Sequence, residues 1–142
     1  MRFALIALLL CGAVYLSSQQ APRPEPGPLQ GGGGFLLNSG WRVTPVGRQV
    51  KLGTLPMSSA LSPDGKYLLI LNGGYMPPNV AVLDAASMQE VSTTGPLADA
   101  WLGLTFSPDG KFVYVGGGAT STVYEFSFAA GQMKETRRFE IT

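Results

Sequence analysis

A ten-residue stretch occurs twice in this chain, and few folds accommodate such a duplication. Leu61-Ser62-Pro63-Asp64-Gly65-Lys66-Tyr67-Leu68-Leu69-Ile70 returns 45 residues later as Phe106-Ser107-Pro108-Asp109-Gly110-Lys111-Phe112-Val113-Tyr114-Val115. Both copies share Ser-Pro-Asp-Gly-Lys, which is a turn with a mechanism. Proline presets its own backbone angle, aspartate caps nearby amides, and glycine accepts the left-handed conformation that closes a short hairpin. A unit repeated at such a period cannot bury its apolar face alone and is built to stack on its neighbours.

Each turn joins two apolar strands. Ala60-Leu61 and Leu104-Thr105-Phe106 precede it, while residues 67–71 and 112–115 follow it. The following runs are apolar without alternation, as expected of strands covered on both faces. Gly- and Pro-rich loops come next, then third strands at 79–84 and 122–127, and fourth strands at 90–94 and 133–139. Val80 aligns with Val123 at an offset of 43, so the first loop is the longer by two residues. Loops absorb such insertions at little cost. A period of roughly 40–45 residues with four strands per unit is that of a propeller blade. The fold class is therefore all-β: blades of four antiparallel strands, about two of them present, in an incomplete ring. The first blade spans about 57–95 and the second about 100–139.

The order of apolar strand, Ser-Pro-Asp-Gly-Lys, aromatic-led strand, Gly/Asn-rich loop and Asn79-Val80-Ala81-Val82-Leu83-Asp84 resembles the YVTN-type β-propeller repeat. Phe112-Val113-Tyr114-Val115-Gly116 is similar to the strand that names that family. The resemblance covers residues 49–139. It implies a radial array of blades, typically seven, of a kind found in exported proteins, in relatives of lactonases and fused to phosphoesterase-like domains. A propeller of the envelope-translocation type uses a similar turn but a different third strand.

The N-terminus reads as a secretory signal over residues 1–21: Met1-Arg2, then an apolar run at 3–16, then Ser17-Ser18-Gln19-Gln20-Ala21. The run is shorter than the roughly 20 residues of a membrane span. Cys11 follows Leu8-Leu9-Leu10, and because Leu10 is not small, plain export is favoured over lipoprotein anchoring. Cys11 is the only cysteine, so a mature chain cut beyond it has no disulfide and no thiolate. Residues 22–40 read as a Pro/Gly-rich linker, stiff in its proline half and flexible in its glycine half. Residues 41–142 are the partial propeller. Within it 48–55, alternating polar and apolar, is expected to be a strand that closes the ring by completing its last blade.

Residues 41–142 amount to about 100, little more than two blades, whereas closed propellers use at least four. The expected partners are the rest of the propeller, in a longer protein of which this is the front part, or further copies of the chain. Charged residues make up 13% and the net charge is +1, which gives no electrostatic case for nucleic acid, nor for a membrane surface beyond the signal or anchor segment. No histidine is present, so a Ser-His-Asp relay and a histidine metal site are excluded from these residues. The glycine clusters are not phosphate loops: Gly65-Lys66 is followed by Tyr67 where Ser or Thr is needed. No catalytic residue, metal site or cofactor is assigned, and Asp64, Asp109 and Asp84 read as turn caps.

One geometric expectation points to binding. Loops after the second strands and before the first strands share one end of the blades, opposite the Ser-Pro-Asp-Gly turns. That places Tyr75 and Met76 on a rim with Asp99, Ala100 and Trp101. Tyr75, Asp99 and Trp101 are the candidate ligand-binding residues, since amphipathic aromatics are enriched on binding surfaces. The competing reading of Trp101 is packing between blades. The expectation is an exported repeat module that binds an unknown small molecule or protein. The alternative is the front of a lactonase-like or phosphoesterase-fused enzyme whose catalytic groups lie beyond Thr142.

Overall fold

The computed structural model of the protein describes residues 25–141; the expected signal segment and Cys11 lie outside them. Among the described residues no helix is long and apolar enough to cross a membrane. The chain divides into two units, Met1–Gln49 and Val50–Thr142.

The described part of the first unit departs from the expected linker. Three two-residue strands, β1 (Gly27–Pro28), β2 (Phe35–Leu36) and β3 (Arg42–Val43), pair antiparallel in the order β1-β2-β3. Gly31, Gly32 and Gly33 all take φ between 80 and 89°, a region that side chains disfavour. They turn the chain back so that the Leu29 N–H donates to the Gly34 carbonyl at 2.9 Å. Composition alone does not separate a flexible glycine run from a glycine turn, and here the run is a turn.

The second unit holds eight strands in two antiparallel meanders. The first blade is β4 (Pro56–Leu61), β5 (Tyr67–Asn72), β6 (Asn79–Asp84) and β7 (Glu90–Thr93), in that spatial order. The second blade is β8 (Leu104–Phe106), β9 (Phe112–Gly116), β10 (Thr122–Ala129) and β11 (Gln132–Glu140), again in order, with a single 3-10 turn at Gly118–Thr120. These are two blades of an incomplete propeller. The strand positions read from the sequence hold to within a few residues. The exception is 48–55, which forms no strand. Leu55 takes a left-handed φ of 51°, and β4 begins only at Pro56. The Leu55 and Thr54 carbonyls instead accept hydrogen bonds from the Gly73 and Gly74 amides, both at 3.1 Å, so this part of the segment pairs within the first blade.

The two Ser-Pro-Asp-Gly turns are built alike. The Ser62 hydroxyl donates to the Asp64 carboxylate at 2.6 Å, and the Lys66 N–H donates to the same oxygen at 3.1 Å. Ser107, Asp109 and Lys111 repeat this at 2.7 and 3.1 Å. Gly65 and Gly110 supply the positive φ, 72 and 70°. In each turn the serine oxygen also accepts the N–H of the residue that opens the next strand, Tyr67 or Phe112.

Strand pairing fixes which residues face the neighbouring blade. Leu69 lies opposite Val82 and Leu71 opposite Val80, so these four share one face. Val113 lies opposite Phe126 and Val115 opposite Tyr124, and they share the facing surface of the second blade. Together with Leu97 and Ala100 from the connection, these residues form one core between the blades. Leu69, Leu71, Val80, Val82, Val113 and Val115 are all fully buried, each worth about 1.5–3 kcal/mol. The Phe128 ring meets Tyr67 and Phe106 edge-on at 5.5 and 5.1 Å, an orientation that aligns ring edge with ring face.

The middle strands of the two blades differ. In β5, Leu69 to Asn72 are buried on both faces, as expected. In β9 only Val113 and Val115 are buried, and Phe112, Tyr114 and Gly116 are half-buried. The far face of the second blade carries a cross-strand row of Thr105, Tyr114, Glu125 and Arg137. Glu125 is 5% exposed and accepts from the Thr136 hydroxyl at 2.9 Å and the Arg137 guanidinium at 3.3 Å. Burial, then the Glu125 charge beside it, raises the pKa of the Tyr114 hydroxyl.

Candidate functional site

At the end of the blades away from the Ser-Pro-Asp-Gly turns, three chain segments converge. Leu55, Gly73, Gly74, Tyr75 and Trp101 line a cleft of about 250 Å³. Glycine is required at position 74 of its floor, where a Cβ would sit 2.6 Å from the Thr54 hydroxyl and 2.7 Å from its carbonyl. The absence of that atom lets the entry to β4 close on the loop after β5. The Met76 N–H donates to the Thr54 hydroxyl at 3.3 Å, which holds the loop from its other side. Tyr75 is left fully exposed, and Leu55 and Trp101 are about half exposed.

The connection between the blades decides where Trp101 goes. Leu97 and Ala100 are buried in the core between the blades, and the Ala98 carbonyl accepts the Tyr124 hydroxyl at 3.0 Å. Asp99, at a left-handed φ of 51°, turns its carboxylate to the Ala119 N–H at 2.6 Å, on the 3-10 turn of the second blade. With residues 97–100 anchored in this way, Trp101 is the first to emerge, and it stands 48% exposed. Ala100, not Trp101, fills the space between the blades. Of the three residues expected on the rim, Tyr75 and Trp101 line one cleft. Asp99 is on the same rim but its carboxylate is committed to Ala119.

A second concavity of about 250 Å³ lies between the two Ser-Pro-Asp-Gly turns and includes Asp64, Asp109, Tyr67 and Phe128. Hydrogen bonds from the Ser62 hydroxyl and then the Lys66 N–H hold the Asp64 pKa below its ordinary value, and Ser107 and Lys111 do the same for Asp109. Both carboxylates also sit near their own lysine, at 3.5 and 3.6 Å. They serve the turns, as does Asp84, whose pKa the N–H and hydroxyl of Ser87 lower. Among the described residues no group of three His, Cys, Asp or Glu side chains is placed to hold a metal ion.

Two features were not singled out from the sequence. Leu55 joins the cleft because Gly53 and Gly74 let the chain bend there; a Cβ on Gly53 would lie 2.9 Å from the Asn72 side chain. That pair of glycines, one on each side of the first blade's opening hairpin, was the available signal. Glu125 was signalled by being the one charge inside the apolar run of β10, at the repeat position that Val82 holds in β6.

No family model matches the chain, and no curated protein matches it in sequence. Solved structures do. The chain is similar to hydrazine synthase of Kuenenia stuttgartiensis, at 26% identity and a TM-score of 0.50 over 61% of this chain and 24% of that one. It is also similar to a Bacteroides uniformis protein described as a 6-phosphogluconolactonase, at 22% identity and a TM-score of 0.53 over 77% of this chain and 37% of that one. Both have propeller-type folds. The chain spans about a quarter and a little over a third of their lengths.

Proposed function

We propose that this chain is part of an exported YVTN-type propeller that acts as a binding or scaffold module, with its ligand-facing surface at the Tyr75–Trp101 rim. One observation carries this reading: two amphipathic aromatic rings stand exposed over a cleft whose floor of close-packed glycine backbone is already formed. Preformed sites with aromatic linings are the usual form of a binding pocket. Further blades of the same ring would be the partner for the second blade's far face. The test uses Trp41→Phe to leave Trp101 as the sole tryptophan, since the sequence has two. Its indole N–H resonance is followed against a library of small fragments. Saturable shifts that vanish in Tyr75→Ala support the rim; a library that leaves the Trp101 resonance unmoved overturns it.

A second reading is the front of a propeller enzyme. The two similar structures carry enzyme names and are much longer than this chain, so catalytic groups would belong to segments outside it. The intact mass of the protein from its own source separates the readings and tests export together. Loss of residues 1–21 supports secretion, and a mass far above the 15.0 kDa of this chain moves the search for catalysis beyond it.

A further inference from the structure

The rim cleft narrows its own ligand class by three kinds of evidence: charge, hydrogen-bonding capacity and size. Its lining contains no carboxylate, ammonium or guanidinium. The nearby Asp99 carboxylate faces the Ala119 N–H instead. A phosphate or carboxylate ligand would meet no cation there and would lose hydration without compensation. An ammonium could lie on the ring faces but offers the Trp101 indole N–H no acceptor, so an uncharged end that carries acceptors fits the lining best.

The aromatic side chains then separate neutral ligands from one another. Tyr75 and Trp101 offer flat apolar faces whose two-torsion side chains lose little freedom on binding. Each also carries a polar handle. Among the described residues, neither the Tyr75 hydroxyl nor the Trp101 indole N–H has a protein hydrogen-bond partner. A wholly apolar ring, such as a proline or phenyl group, would cover the faces and leave the handles desolvated and unpaired, which is unfavourable. A ring with one C–H face and hydroxyls around its edge satisfies both: C–H groups on the aromatic faces, hydroxyls on the N–H and O–H.

Size sets the extent. At about 250 Å³ the cleft is just below the roughly 300–1,000 Å³ of pockets for drug-sized ligands, and it accommodates one ring while the rest of the molecule stays in solvent. Its backbone floor is held before binding by the hydrogen bonds from the Gly73, Gly74 and Met76 amides to Leu55 and Thr54, and a floor already in place lowers the ordering cost of a small ligand.

We propose that the Tyr75–Trp101 cleft binds a single sugar residue of an uncharged glycan. This rests on the reading of the rim as the ligand-facing surface. The test is again the Trp101 indole resonance in full-length Trp41→Phe protein. It is titrated with methyl glycosides of glucose, galactose, mannose and N-acetylglucosamine, with their 6-phosphates, and with a proline-rich peptide. The expected result is a saturable shift with at least one neutral glycoside, at least tenfold weaker affinity for its 6-phosphate, and loss of the shift in Tyr75→Ala. Tyr75 is fully exposed, so that variant folds, and wild-type circular dichroism confirms it. Equal or tighter binding of the phosphate overturns the proposal, as does a response to the peptide alone or to no glycoside. If fragments still shift Trp101 while every glycoside fails, the ligand class is wrong and the rim stands. If neither shifts it, both fall.

Discussion

Val82 in the first blade and Glu125 in the second occupy the same place in the repeat, on the third strand and on the face turned to the following blade. Val82 is fully buried against the second blade, in a core of apolar side chains and the Tyr124 ring, whose hydroxyl is paired with the Ala98 carbonyl. Glu125 is almost as buried, but Thr136 and Arg137 of its own sheet supply its hydrogen bonds. The same strand order thus supports a dry interface in one blade and a self-satisfied polar centre in the other. A face that must be covered can be apolar throughout. A face that carries a buried charge keeps it paired within its own sheet.

Exchanging the two residues breaks the comparison in opposite directions. Val82→Glu puts an unpaired charge into the core between the blades and costs at least about 3–5 kcal/mol, a large share of a typical domain's stability. Urea unfolding is expected to show no cooperative transition. Glu125→Val removes a buried charge and leaves Arg137 exposed, so unfolding free energy stays within about 1 kcal/mol of wild type. The variant is expected to self-associate in sedimentation velocity at concentrations where wild type does not. If Val82→Glu folds normally, the faces that the two blades turn to the following blade are equivalent after all.

Smaller changes sharpen the same contrast. Arg137→Ala leaves Glu125 with the Thr136 hydroxyl and the neighbouring Tyr114 hydroxyl. Because the Arg137 side chain is 62% exposed, screening limits the loss to about 1 kcal/mol, read from the denaturation midpoint. The turns should respond to pH and should do so alike in both blades. The Asp64 and Asp109 pKa values are lowered in the fold, so the folded protein binds fewer protons than the unfolded chain in that range. Their stabilisation is present above the ordinary value of 3.8 and fades as pH falls through the depressed folded value. The stability difference between wild type and the Asp64→Asn/Asp109→Asn variant is expected to be constant above about pH 5 and to shrink below pH 4. Unequal contributions from the two single variants would show that the turns are not interchangeable.

The repeat made most of the fold legible. Ser-Pro-Asp-Gly has one local solution, and the apolar runs around it have the lengths of strands, so seven strands of the second unit fell where the residues placed them. The opening strand β4 was read too short because Met57, Ser58 and Ser59 do not alternate. The glycine run at 31–34 was misread because flexibility and tight turning share a composition. At the rim, the loop order brought Tyr75 and Trp101 together. The direction of the Asp99 carboxylate depends on a partner twenty residues away, Ala119, and no local pattern encodes that. Glu125 shows the same limit: an acidic residue in an apolar strand is visible, but its pairing with β11 is set by a register shift between Glu125 and Phe126.

The claim on which the functional reading turns is that Trp101 belongs to the rim and not to the packing between blades. The direct measurement is the unfolding free energy of Trp101→Ala beside that of Leu69→Ala. Leu69, fully buried between the blades, should lose about 2–5 kcal/mol. Trp101 should lose about 1 kcal/mol, with circular dichroism unchanged, because roughly half of it is already in water. A loss for Trp101→Ala of about 3 kcal/mol or more, equal to that of a core aromatic, would contradict the account.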